Sequence, residues 1–353
     1  MLILDRIVDI TIYPKREDYL MKALLYSMTP EQKVYVDHWN KEHPDDDLQT
    51  TDDDLDAKTV EQAEGFDVVS VLQVFDLDEE EVYRKLASYG IKHIALRSVG
   101  YNIVNFDYAH KYHLLITNTP AYSPRAVAEN TLTSAMYLLR KWGPILKNER
   151  EDLNFVREAN LMSDEIYNQT VGIIGVGRIG SATAEIFHAL GARVIGYDIV
   201  ENPANEAFLE YTDFETVIRE SDILSLHTPF TPDLEGMISA KEFKEMKNTA
   251  VLINAARGPL VDNKDLIAAL KNNEIAGASL DVMTGEEAIV MKKFNDISEL
   301  PKDYQELVEM PNVVFTPHSA YYTKTSVKNM VNQSMTDAKR VLSGEKPVYP
   351  VDE

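Results

Sequence analysis

The sequence predicts an α/β protein built from two doubly wound parallel-sheet domains with a ligand cleft between them. Three observations carry that expectation. Short apolar runs alternate with amphipathic ones along the chain. The alternation comes as two series, separated by a polar stretch at 143–168. A glycine-rich turn, "GVGRIG" at 175–180, joins a strand-like run to a helix-like one. Alternation of this kind implies parallel strands covered by helices.

Bulk properties agree with this class. A chain of 353 residues is too long for one core and suits two ordinary domains. Hydrophobic residues make up 44% and charged residues 26%, as in globular proteins. No cysteine is present, which excludes a disulfide framework, a thiolate metal site and a cysteine nucleophile. The formal charge of −23 argues against a nucleic-acid partner, which needs clustered Lys and Arg. No apolar run reaches the roughly 18 residues of a membrane span, so no membrane association is expected. The N-terminal "MLILDRIVDI" carries Asp5, Arg6 and Asp9 inside its apolar run, unlike a signal peptide. Residues 1–20 read as an extension, and the location expected is cytoplasmic.

In the first series, "KALLYSM" (22–28) reads as a strand and "EQKVYVDHWNKEH" (31–43) as a helix. "DVVSVLQ" (67–73) is a strand, and "DEEEVYRKLASYG" (78–90) is a helix ending at a glycine. "IKHIALRS" (91–98) and "LLITN" (114–118) are strands around the short helix "FDYAHKYH". Ser123 and Pro124 then suit an N-cap and first turn, and the helix they open is expected to reach about Trp142. Residues 143–168 are expected to be irregular. The second series begins at Thr170 and runs through "ARVIGYD", "DILSLHTP", "AVLINAAR", "AGASLDVM" and "NVVFTPH" as strands. Thr212 with Glu215 and Ser239 with Glu242 have capping-box spacing between them. The last helix covers about Tyr322 to Leu342. It follows the final strand of the second series and is assigned to the first domain. The division expected is therefore 1–122 plus 323–353 for one domain and 123–322 for the other.

The glycine turn has the context of a dinucleotide site. Val171–Ile174 is a buried-strand run, a helix follows Gly180, and a second strand ends at Asp198. Gly175 allows the tight turn, Gly177 lets backbone approach a pyrophosphate, and Gly180 allows close helix packing. The helix N-terminus offers N–H groups to the phosphates. Asp198 is placed to accept from ribose hydroxyls and to repel a 2′-phosphate, which favours NAD over NADP. This half is a Rossmann domain by its pattern.

Three residues stand at the C-terminal ends of predicted strands, where such sheets bind ligands. Arg257 ends "AVLINAAR", Glu286 follows "AGASLDVMTGE" and His318 ends "NVVFTPH". Singly, each would be an ordinary surface or structural residue. Together at one sheet edge, beside a dinucleotide turn, they form a catalytic candidate.

The stretches "VGIIGVGRIG", "LINAARGPLVD", "SLDVMTGEE" and "NVVFTPHSAYYT" resemble the signatures of the D-isomer-specific 2-hydroxyacid dehydrogenases. "RSVGYNIVNFDYAHKY" and "TPAYSPRAVAENTLTSAMYLLR" extend the match from about Lys22 to Pro350. Within the family, the D-lactate and D-2-hydroxyisocaproate enzymes are most similar. The resemblance implies a flavodoxin-like substrate domain beside the Rossmann domain, NAD as cofactor, no metal and a homodimer. That homodimer would form through the cofactor domain, and the apolar face of 124–142 suits it.

The resemblance also implies roles. Arg257 binds the substrate carboxylate and polarises its carbonyl. His318 is the general acid, and Glu286 orients its imidazole and raises its pKa. Backbone at Val99 and Gly100 cradles the substrate carboxylate. Asp281 tunes the site near the cofactor. Arg178 and Ile179 contact the phosphates, and Thr228, Pro229 and Ala255 also contact NAD. Ala256, Met283 and Leu234 depart from common family choices without touching the proposed triad. Leu72, where D-lactate enzymes often carry tyrosine, leaves an apolar space, and Tyr321 lines the same pocket. The expected activity is thus reduction of bulky 2-oxo acids such as 2-oxoisocaproate or phenylpyruvate. The alternative is a D-lactate dehydrogenase acting on pyruvate, and the distant one an NAD-sensing scaffold without turnover.

Overall fold

Five strand segments, Val68–Val71, His93–Leu96, Ile223–Leu226, Val251–Asn254 and Gly277–Leu280, are buried at every position. Such strands have no face left for water, so helices must cover their sheets on both sides. The computed structural model describes residues 20–73 and 75–352. Residues 1–19, nearly all of the stretch read as an extension, and Val74 of the segment after Leu72 lie outside the described residues. The described residues up to Ser123, with those from Thr323 onward, form one compact unit, and Pro124–Tyr322 form another.

In the first unit, β1 (Lys22–Leu25), β2 (Asp47–Thr50), β3 (Val68–Val71), β4 (His93–Leu96) and β5 (Leu115–Thr117) run parallel in the order β2-β1-β3-β4-β5. This is a doubly wound order with its switch point between β1 and β3. Successive strand residues enter opposite cores. Leu24, Val69, Val71, Ile94 and Leu96 pack with α2 (Glu80–Ser88) and α3 (Phe106–Lys111). Ala23, Leu25, Val68 and Ala95 pack with α1 (Pro30–Glu42) and the last helix, α11 (Lys324–Leu342).

The second unit repeats the logic on a larger sheet. Its strands are β6 (Thr170–Ile174), β7 (Arg193–Tyr197), β8 (Glu210–Tyr211), β9 (Ile223–Leu226), β10 (Val251–Asn254), β11 (Gly277–Leu280) and β12 (Val313–Phe315). All pairs are parallel, in the order β12-β11-β10-β9-β6-β7-β8, with the switch between β6 and β9. On one face, Ile173, Ile223 and Ile253 meet α4 (Pro124–Leu139) and α6 (Arg178–Ala189). On the other, Ile174, Leu224, Leu252 and Ala278 meet α7 (Phe214–Glu220), α8 (Ala240–Glu245), α9 (Asn263–Lys271) and α10 (Lys302–Val308). No helix among the described residues is long and apolar enough to cross a membrane.

Some local expectations are corrected. The helix that begins at Pro124 stops at Leu139, and a separate helix, α5 (Trp142–Glu151), occupies part of the stretch expected to be irregular. Pro144 accounts for the break. In a continuous helix its ring would clash with the carbonyl of Arg140, whereas the first turn of α5 tolerates it. The chain turns at Lys141, in the left-handed region at φ 54°. The capping box at Ser239 and Glu242 is present, but α7 is capped by Asp213, whose carboxylate accepts from the Thr216 N–H at 2.8 Å; Thr212 lies one residue outside. The apolar face of α4 packs inside its own unit on α6 and on β10, β11 and β12. Strands β2 and β8, and β13 (Pro350–Val351), which pairs antiparallel with β5, were not anticipated.

Candidate active site

Gly175 leaves β6 with φ 89°, a conformation that favours glycine. A β-carbon there would lie 2.6 Å from backbone atoms of His227 and Thr228, just past β9. Its absence lets two strand ends meet at the switch point. At Gly180 a β-carbon would lie 2.0 Å from the Gly175 carbonyl oxygen, so α6 packs directly onto the turn. Gly177 differs, because its missing side chain would face open space. That open side lies at the N-cap of α6, beside first-turn N–H groups that have no partner inside the helix. Asp198, just after β7, accepts from the N–H of Val176 at 2.6 Å and of Val200 at 2.9 Å. It therefore ties the end of β7 to the glycine turn. Arg178 is exposed and Ile179 half-buried in the first turn of α6. Thr228 and Pro229 follow β9, and Ala255 follows β10, at the same carboxyl edge. His227 meets Ser225 Oγ through Nε2 at 2.9 Å, and burial pushes its pKa down to about 4.

The arginine loop is built by two residues that sequence reading did not single out. Asn254, buried at the end of β10, accepts from the Ala256 N–H at 3.1 Å and donates to the Arg257 carbonyl at 2.9 Å. Gly258 then passes so close to the next loop that a β-carbon would lie 2.3 Å from the Met283 carbonyl carbon. The loops after β10 and β11 are thus pressed together, Arg257 on one and Glu286 on the other. The Arg257 guanidinium donates to the Ala256 carbonyl at 2.6 Å.

His318 follows β12 with φ 51°, an unusual conformation for a side-chain-bearing residue. Asp281 holds it there. The Asp281 carbonyl accepts from the His318 N–H at 2.8 Å. Its carboxylate, 4% exposed, accepts from Thr316 Oγ1 at 2.6 Å and from the N–H groups of Ser319 and Ala320 at 2.8 and 3.0 Å. The imidazole then places Nδ1 3.0 Å from Glu286 Oε1. A carboxylate at that nitrogen favours the proton on Nδ1 and leaves Nε2 for proton exchange. Tyr321 stands edge-on to the imidazole, with ring centroids 6.4 Å apart.

In the first unit, the Val99–Gly100 turn follows β4. Asn118 Nδ2 donates to the Val99 carbonyl at 2.7 Å, and Ser98 Oγ donates to the Gly100 carbonyl at 2.6 Å. Both peptide planes are fixed by their carbonyl sides. Leu72 is half-buried immediately after β3.

A profile of the D-isomer-specific 2-hydroxyacid dehydrogenase NAD-binding domain matches residues 132–320, more than half of the chain. The chain belongs to the D-isomer-specific 2-hydroxyacid dehydrogenase family. The dehydrogenase is 39% identical to a D-lactate dehydrogenase of Streptococcus agalactiae, over 91% of this chain and 97% of the relative. It is similar to the crystal structure of a D-isomer-specific 2-hydroxyacid dehydrogenase from Lactobacillus delbrueckii ssp. bulgaricus in its NAD-complexed form, with 52% identity, a TM-score of 0.85, and coverage of 94% of this chain and 100% of that one. It is also similar to a D-lactate dehydrogenase with NAD+ from Lactobacillus jensenii, with 48% identity, a TM-score of 0.86 and the same coverage. This chain is therefore an NAD-dependent D-2-hydroxyacid dehydrogenase. The cofactor fits its residues: the open side of Gly177 and the α6 N-terminus suit a pyrophosphate, and Asp198 brings a carboxylate to the end of β7 beside that turn.

Proposed function

We propose that the dehydrogenase interconverts pyruvate and D-lactate in the cytoplasm. The observation that carries the chemistry is the His318–Glu286 contact of 3.0 Å, on the strand-end edge that also bears Arg257. The relatives named D-lactate dehydrogenase favour pyruvate as the acid and weigh against the bulky-substrate expectation drawn from Leu72.

NAD supplies or accepts the hydride. Gly177, Arg178 and Ile179 would hold its phosphates on the turn that Gly175 and Gly180 shape, Asp198 would take its ribose, and Thr228, Pro229 and Ala255 would contact the cofactor beside them. Arg257 takes the substrate carboxylate in its forked donors and polarises the C2 carbonyl. The N–H groups of Val99 and Gly100 also receive the carboxylate. His318 Nε2 gives a proton to the carbonyl oxygen during reduction and removes it during oxidation. Glu286 keeps the imidazole in the donating tautomer and orientation. Asp281 acts through the turn it ties down. Leu72 and Tyr321 border the substrate's C3 end. A homodimer is supported by exposed Trp142, Leu153, Phe155, Val156 and Met162, all between α4 and β6.

The test is NADH oxidation across a panel of pyruvate, 2-oxobutyrate, 2-oxoisocaproate and phenylpyruvate, with chiral analysis of the product. The highest kcat/KM is expected with pyruvate, yielding the D acid. A higher kcat/KM for 2-oxoisocaproate would return the assignment to the Leu72 reading. An L product would overturn the reaction as written.

A further inference from the structure

Two buried polar atoms near the catalytic pair lack a partner among the described residues. Glu286 engages His318 through Oε1, while its Oε2 is enclosed and unpaired. The hydroxyl of Tyr304 is enclosed and unpaired as well. Tyr304 lies on α10 and is 1% exposed. Its ring packs at 5.0 Å on Phe315, which precedes His318 by three residues. On either side of Glu286, Met283 belongs to the same apolar cluster as Tyr304 and Ile289 packs against it.

The chemistry of the two atoms is complementary. Burial raises the Tyr304 hydroxyl's pKa, and the negative charges of Glu286, Glu287 and Asp303 raise it further, Glu286 the most among them. The phenol therefore stays protonated and can donate, whereas an ionised carboxylate oxygen can only accept. Buried polar groups in folded proteins find partners, and an ordered water commonly serves a pair too far apart to bond directly. Asp303 lies on the same helix, but the phenol makes no hydrogen bond to it. An apolar core position would be filled equally well by phenylalanine, so the buried hydroxyl needs its own reason.

We propose that Tyr304 is a positioning residue for the reduction: its hydroxyl holds one buried water that donates to Glu286 Oε2. The carboxylate is then satisfied at both oxygens. It is held turned toward His318, which keeps the imidazole in the geometry and tautomer that proton transfer needs. Tyr304 touches neither substrate nor cofactor. Its effect passes through Glu286, so this inference rests on the His318–Glu286 reading above.

The test is Tyr304→Phe, read by kcat across pH, KM for the oxo acid, NADH affinity and thermal melting. A lost hydrogen bond to a charged group predicts a fall of about tenfold in kcat for reduction, and a shift of the acid-side limb by about one pH unit toward neutrality. KM and NADH affinity are expected to change less than about twofold, since one hydrogen bond away from the ligands is at stake. Wild-type kcat and an unmoved limb would overturn the role, whatever the melting temperature does. A wild-type crystal structure that resolves buried waters gives an independent reading if the variant folds poorly. Density bridging Tyr304 Oη and Glu286 Oε2 supports the proposal, and a dry gap overturns it. Glu286→Gln separates the two levels. Wild-type turnover in that variant would remove the underlying pair, whereas an impaired Glu286→Gln with an unaffected Tyr304→Phe removes only the role of Tyr304.

Discussion

In the proposed reaction, Arg257 is the residue on which substrate binding turns. A 2-oxo acid carries a carboxylate and a carbonyl side by side, and a guanidinium fork can address both. Replacing it by glutamine keeps a donor but removes the charge and the fork. Arg257→Gln is expected to lower kcat/KM by about 10²- to 10³-fold, with KM and kcat both affected, because charged hydrogen bonds are lost in ground state and transition state alike. NADH affinity, read by fluorescence titration, should hold within about twofold. An unchanged KM would remove Arg257 from the substrate site. The placement of Arg257, Glu286 and His318 at one edge was legible in the sequence because each follows an apolar strand, and all such ends of a parallel sheet share one edge. Their supports were not. Asn254, Gly258 and the several bonds of Asp281 act between loops distant in sequence, and no local pattern announces them. Tyr304 sits in a helical run where an aromatic residue reads as plain core, and only its unpaired hydroxyl sets it apart.

At the scale of elements, β4 and β5 carry a pH liability. His93 on β4 is fully buried, with Nε2 2.9 Å from Thr117 Oγ1 on β5. Burial pushes its pKa down to about 3. The folded chain thus keeps this ring neutral where the unfolded chain, with a histidine pKa near 6.5, takes up a proton. Stability from this group is whole above about pH 6.5 and declines as pH falls toward 3, by about 1.4 kcal/mol per pH unit. Thermal melting between pH 6.5 and 4.5 should show that slope, and His93→Gln should flatten it. An unchanged slope in the variant would assign the acid sensitivity elsewhere. The long helices and buried strands were readable because their apolar periodicity is sustained. Strand β2, "DLQT", carries three polar residues in four, and β8 and β13 have two residues each, so none has a period to read. The break between α4 and α5 was written in Pro144, whose effect depends on which turn of a helix it occupies.

At the scale of the whole molecule, two alternating series announced two α/β units, and the chain folds as two units with parallel doubly wound sheets. The formal charge of −23 makes the far field unfavourable for an anionic oxo acid, so capture depends on short-range donors rather than steering. In the proposed function, the glycine turn and Asp198 supply the cofactor site, and the strand-end edge of the same unit supplies an acid held by a carboxylate. The central claim is that His318 delivers the proton that accompanies hydride transfer. The direct measurement is pyruvate reduction by NADH in His318→Gln, with NADH binding measured on the same preparation. Loss of a general acid predicts turnover lower by about 10²- to 10⁴-fold, with NADH affinity changed less than about twofold. Wild-type turnover in that variant would contradict the assignment.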